Sequence, residues 1–98
     1  MTKLRIGLRD GFRDDMVRIL VDGREVYQKP HVTTNLAISF ADAVELHVDA
    51  ATVEVEIEVN GRDRARKAVR AAETPYLDVW YIDGTLQLRE SAREIPML

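Results

Sequence analysis

The sequence predicts an all-β fold, a single antiparallel β-sandwich of about eight to nine short strands joined mainly by hairpins. Three observations predict it. Apolar and polar residues alternate along most of the chain, as in Leu4, Ile6 and Leu8, or Val53, Val55, Ile57 and Val59. A period of two puts one face of a strand on a core and the other in water. Asp22-Gly23 and Asp83-Gly84 each fall between two alternating runs, and Asp-Gly suits both central positions of the tight turn that joins antiparallel strands. The chain also holds 11 Val, 6 Ile and 6 Thr, and β-branched side chains fit a pleated surface.

In chain order, strands are expected at 3–9, 16–22, 24–29, 35–40, 44–49, 52–60, 64–71, 75–82 and 85–90. The Asp22-Gly23 turn pairs Val21 with Arg24 and Ile19 with Val26. The Asp83-Gly84 turn pairs Tyr81 with Leu86, Val79 with Leu88, Asp78 with Arg89 and Trp80 with Gln87. In both registers apolar meets apolar on one face. Ala41-Asp42-Ala43 reads as a three-residue loop joining Phe40 to Val44, and Asn60-Gly61 opens a further hairpin. The segment 62–73 has a helical alternative through Ala65, Ala68, Val69 and Ala72, but a hairpin partner favours strand. Four hairpins after a leading strand suggest two layers, with a small closed barrel as the alternative.

With 98 residues the chain has the length of one domain, 1–98. Its tail, 91–98, is irregular, and Ile95, Met97 and Leu98 offer an apolar end for docking on a neighbouring surface. The lack of cysteine excludes disulfides, cysteine–zinc sites and thiolate catalysis. With 14 Lys+Arg against 17 Asp+Glu, the net charge is -3. That balance argues against a nucleic-acid partner held by general attraction to phosphate. No apolar run reaches the ~18 residues of a membrane span. The start, MTKLRIGLRDG, lacks the pattern of a secretory signal, so a cytoplasmic protein is expected.

Three groups of residues are candidates for function. The acidic turn Asp10, Asp14 and Asp15 could supply oxygen ligands to calcium, with Asp42, Asp49 or Asp63 as further ligands if they lie at the same end. Its plainer role is to turn and cap the backbone. Glu54, Glu56 and Glu58 share one strand face, with Arg62, Arg64, Arg66, Lys67 and Arg70 downstream. An odd-length loop brings pairs such as Glu58–Arg66 and Glu54–Arg70 opposite or nearly so, which reads as a neutralised, solvated hairpin. The third group is an interaction or ligand face. If Leu77, Val79 and Tyr81 point to the core, then Tyr76, Asp78, Trp80 and Ile82 share the other side of the sheet, beside Gln87 and Arg89. Aromatic rings on a sheet face stack on sugars or anchor interfaces. His31 and His47 form no metal or catalytic motif, and no catalytic set is singled out.

The segments VRILVDGREV, VTTN, VEVEIEVNGRD and YLDVWYIDG resemble, in rhythm, calcium-dependent carbohydrate-binding β-sandwich modules. This similarity covers about two-thirds of the chain and implies a sandwich with calcium-assisted sugar binding. The chain departs from that pattern at its late turn, Asn60-Gly61-Arg62-Asp63, and lacks a counterpart of the early Glu ligand. Asp10 to Asp15, then VRILVDG and Thr33-Thr34-Asn35, is similar to phospholipid-binding calcium sandwiches, but without their full set of loop carboxylates. Taken together, the residues lead to the expectation of a non-enzymatic interaction or assembly module, self-associating as a homodimer. A carbohydrate-like or other small polar ligand is the alternative.

Overall fold

Alternation by two becomes strand wherever the apolar half finds a common core. The computed structural model describes residues 2–93. These form eight strands: β1 Thr2–Leu8, β2 Asp15–Val21, β3 Arg24–Val32, β4 Asp42–Val48, β5 Val53–Val59, β6 Asp63–Val69, β7 Tyr76–Ile82 and β8 Thr85–Ser91. They make two four-stranded sheets, β4-β1-β7-β8 and β3-β2-β5-β6. One apolar cluster joins them, with Leu4, Ile6, Leu77 and Val79 from the first and Val17, Ile19, Val55 and Ile57 from the second. The expected docking of Ile95, Met97 and Leu98 lies outside the described residues.

Three hairpins follow the turn chemistry. Both Asp-Gly turns hold their central residues at positive φ, 50° and 81° at Asp22-Gly23, and 52° and 75° at Asp83-Gly84. The β7–β8 register is the expected one, with Tyr81 opposite Leu86, Trp80 opposite Gln87 and Asp78 opposite Arg89. The segment 62–73 contains strand β6, not a helix. The loop before it has three residues, so Glu58 lies opposite Arg64 and Glu56 opposite Arg66. The expected pairs Glu58–Arg66 and Glu54–Arg70 are therefore diagonal neighbours.

Three expectations need correction. In the first hairpin Val21 does face Arg24, but Ile19 faces Tyr27 rather than Val26. Val26 is the extra residue of a bulge, and both Val26 and Tyr27 pack against the core. No strand spans 35–40, and Phe40 does not form a hairpin with Val44. Instead Asn35 and Phe40 close a tight turn. There Asn35 Oδ1 accepts the Ala37 N–H at 3.0 Å and Ser39 takes φ 53°, a strand-incompatible value. The alternation of Leu36, Ile38 and Phe40 was misleading because Leu36 is 82% exposed. The freed β4 pairs with β1 across the full length of both. Finally, β1 runs parallel to β7, the one parallel pair among the described strands.

The layers are tied along both sides. Tyr81 in β7 donates its hydroxyl to Asp63 in β6, and Lys67 reaches Glu90 at 3.7 Å. On the other side Tyr27 in β3 donates to Asp42 in β4 at 2.8 Å, and Lys29 reaches the same carboxylate at 3.2 Å. The loop after β1 is pinned by Thr34, whose Oγ1 accepts the Phe12 N–H and donates to the Arg9 carbonyl. Phe12 is thereby lodged in the core beside Tyr81, with ring centroids 5.9 Å apart.

Candidate interaction face

The core takes Leu77, Val79 and Tyr81, so the opposite parity of β7 lies on the outer face of its sheet. Across this face Arg5, Tyr76 and Ser91 form one row, and Gly7, Asp78 and Arg89 the next. Trp80 with Gln87 and Ile82 with Thr85 continue it. Tyr76 and Trp80 are half-buried, Gln87 and Arg89 exposed, and Ile82 is 38% exposed. A depression of about 440 Å³ is lined by Trp80, Ile82, Gln87, Leu88 and Arg89. On the far side a smaller one of about 240 Å³ lies among Lys3, Arg5, Glu45, Pro75 and Tyr76. The face thus combines two aromatic rings, one aliphatic side chain and two arginines, Arg5 and Arg89, residue types enriched at interface centres.

Asp78 differs from its neighbours. It is on this face but only 6% exposed, as is Arg9, whose Nη1 lies 3.9 Å from Asp78 Oδ1. The carboxylate lies over Gly7, where a Cβ would stand 2.9 Å from Asp78 Oδ1. Asp78 therefore organises the sheet beneath the face more than it presents itself to a ligand. Arg9 was not singled out from the sequence. The available signal was the small residue of Ile6-Gly7-Leu8, which marks a close approach in a strand.

The acidic turn is taken up in backbone capping. Asp15 is buried, accepting the Arg13 N–H at 2.8 Å and the Asn60 Nδ2–H at 2.8 Å. Asp14 lies 2.5 Å from His31 Nδ1, and both are exposed. Asp10 gives its carbonyl to the Tyr81 N–H. Asp42 and Asp63 lie at this end but bind Tyr27 and Tyr81, whereas Asp49 lies at the opposite end after β4. Among the described residues no three metal-binding side chains converge. His47 is exposed on β4, apart from His31.

The charge ladder is a neutralised outer face of the second sheet. Glu58 sits between Arg64 at 3.1 Å and Arg18 at 3.9 Å, and Arg66 reaches Glu56 at 3.4 Å and Glu54 at 3.8 Å. Its cations are engaged by carboxylates rather than held open for phosphate. Among the described residues no helix is long and apolar enough to cross a membrane. Comparison with protein-family models, curated proteins and solved structures found no match for the chain.

Proposed function

We propose that the protein is a cytoplasmic, non-enzymatic interaction module that self-associates through the outer face of β7 and β8. The observation that carries this reading is the placement of Trp80. The sole tryptophan of the chain lies outside the core, with Ile82 exposed beside it and Tyr76 further along the strand. Large aromatic rings near the centre of a patch give most of the binding energy of an interface. The broad side of the molecule measures 33 by 29 Å, so the roughly 800 Å² per partner of a standard interface would take the contact from β7 and β8 onto the neighbouring β1 and β4. A two-fold dimer of this face closes without leaving a copy of it exposed. Sedimentation velocity at micromolar concentration tests it. The expected result is a dimer in which acrylamide quenches Trp80 poorly, converted to monomer by Ile82→Glu. A monomer with freely quenched Trp80 overturns it.

A second reading, binding of a carbohydrate-like or other small polar ligand, rests on the depression between Trp80 and Arg89. An indole ring beside a guanidinium offers a stacking surface and hydrogen-bond donors at once. Titration of Trp80 fluorescence with a panel of oligosaccharides, with and without calcium, tests it. A saturable change supports it, and an unchanged spectrum throughout removes it.

A further inference from the structure

We infer that the cleft between β3 and β4 is a binding site for a small amphipathic carboxylate, separate from the Trp80 face. The two sheets are not closed equally along this side. Tyr27 and Lys29 meet Asp42 toward one end. Toward the other end, where β3 begins and β4 finishes, no such tie is made among the described residues. The bulge at Val26 bends β3 there. A cleft of about 420 Å³ results, within the size range of small-molecule sites.

Its floor is apolar. Val21, Val48 and Val53 are buried at its base, while the core-directed Val26 and Leu46 are only half-buried. Aliphatic groups on the inner side of a sandwich are normally sealed by the facing layer, and here two of them remain available to a ligand's hydrocarbon.

At the mouth, Arg24 supplies the group that would recognise an anion. Arg24 is paired with Val21 across the hairpin, so both project toward the inner side of their sheet. Arg24 lines the cleft, and its guanidinium makes neither an ion pair nor a hydrogen bond to the described residues. Arg18, Arg64, Arg66 and Arg70 all engage carboxylates. Two carboxylates also line the rim, Asp22, which accepts the Glu54 N–H at 2.9 Å and keeps its charge, and Asp49 beyond the end of β4. The preference for an anion therefore rests on direct pairing with Arg24 and not on the net charge of the rim, and octylamine is the control for the two aspartates. A guanidinium above an aliphatic floor matches a carboxylate head on a short hydrocarbon chain, with a two-pronged hydrogen bond at the head.

The test uses the intact chain and three probes of equal length: octanoate, octanol and octylamine. Amide resonances of Val26, Leu46, Val48 and Val53 are followed by NMR through each titration. The expected result is saturable shifts at these positions with octanoate, and binding weaker by roughly tenfold for octanol and octylamine. Arg24→Gln, an exposed turn-flanking change that leaves the core intact, should weaken octanoate to the level of octanol. Equal binding of all three probes, preference for octylamine, shifts confined to Trp80 and its neighbours, or no shift at low-millimolar octanoate each overturn the proposal. So does movement of the cleft resonances with protein concentration alone, which assigns the cleft to a second copy. Because the cleft and the Trp80 face lie on different surfaces, failure of one leaves the other standing.

Discussion

Position 11 has room for a hydrogen and nothing larger. A Cβ there would stand 1.8 Å from the Tyr81 carbonyl oxygen and 3.2 Å from Ile82 Cδ1, and the backbone lies at φ 99°. The approach is needed because the Tyr81 N–H donates to the Asp10 carbonyl at 3.0 Å, clamping the loop onto β7 and seating Phe12 in the core. Gly23 also has positive φ, but nothing lies within 4 Å of a Cβ there. Gly11→Ala is therefore expected to cost more than about 3 kcal/mol, since a backbone carbonyl must move. Gly23→Ala carries only the left-handed strain of about 1–2 kcal/mol. Urea denaturation of the two variants separates them, and equal losses would refute the steric account. This loop also marks where the sequence was silent. Phe12 and Thr34 lie in connections with no period to identify them, and their burial comes from the meeting of two loops distant in the chain. Trp80 was legible because β7 and β8 are neighbours and a two-residue turn fixes every side chain's face. The burial of Asp78 was not, because Gly7 in β1 and Arg9 just after it reach it from the other end of the chain.

Local pairing explains which elements could be read. The hairpins β2–β3, β5–β6 and β7–β8 are set by their turns, whereas the partners of β1 depend on how layers assemble, and β4 and β7 both lie far along the chain. Period two misled at 35–40 because Asn35 offers its own side chain to the backbone and makes a turn cheaper than a strand. In the β5–β6 hairpin the charges do select a register. Slipping it by one residue would turn Glu54, Glu56 and Glu58 toward the core. Arg66, facing Glu56 and near Glu54, gives the test. Arg66→Ala is expected to cost under about 1 kcal/mol, as an exposed pair does. Arg66→Glu sets three carboxylates together and should cost about 1 kcal/mol more. Molar salt should narrow the gap between the two variants in thermal melts. A gap indifferent to salt would mean that packing of the arginine stem, not charge, holds the edge strand.

Across the whole molecule the two sheets exchange matching ties. Each gives a tyrosine hydroxyl to an aspartate of the other, Tyr27 to Asp42 on one side and Tyr81 to Asp63 on the other. Burial, aided by the bond to Asp42, holds the Tyr27 hydroxyl protonated well above the ordinary phenol value. The bond to Asp63, then burial, raises Tyr81 as well. Burial alone would raise Asp42, but hydrogen bonds from Tyr27, the Ala43 N–H and Lys29 outweigh it and hold the carboxyl below the ordinary 3.8. The signs give two limits. A phenol raised on folding stabilises fully below the unfolded value of 10.0, and that contribution fades as pH climbs through the folded values. A carboxyl lowered on folding stabilises above its unfolded value, and its contribution fades as pH falls through the folded one. Urea midpoints should therefore drop above about pH 10 and again below about pH 4. Tyr27→Phe removes the hydroxyl and should cost about 1–2 kcal/mol near neutrality, because a half-buried carboxylate loses a donor. The double variant Tyr27→Phe with Tyr81→Phe should then lack most of the alkaline drop while keeping part of the acid one, since Ala43 and Lys29 still hold Asp42. If its alkaline limb instead ran parallel to that of the unchanged protein, the layers would be held by their shared apolar core with no measurable help from the phenol–carboxylate pairs.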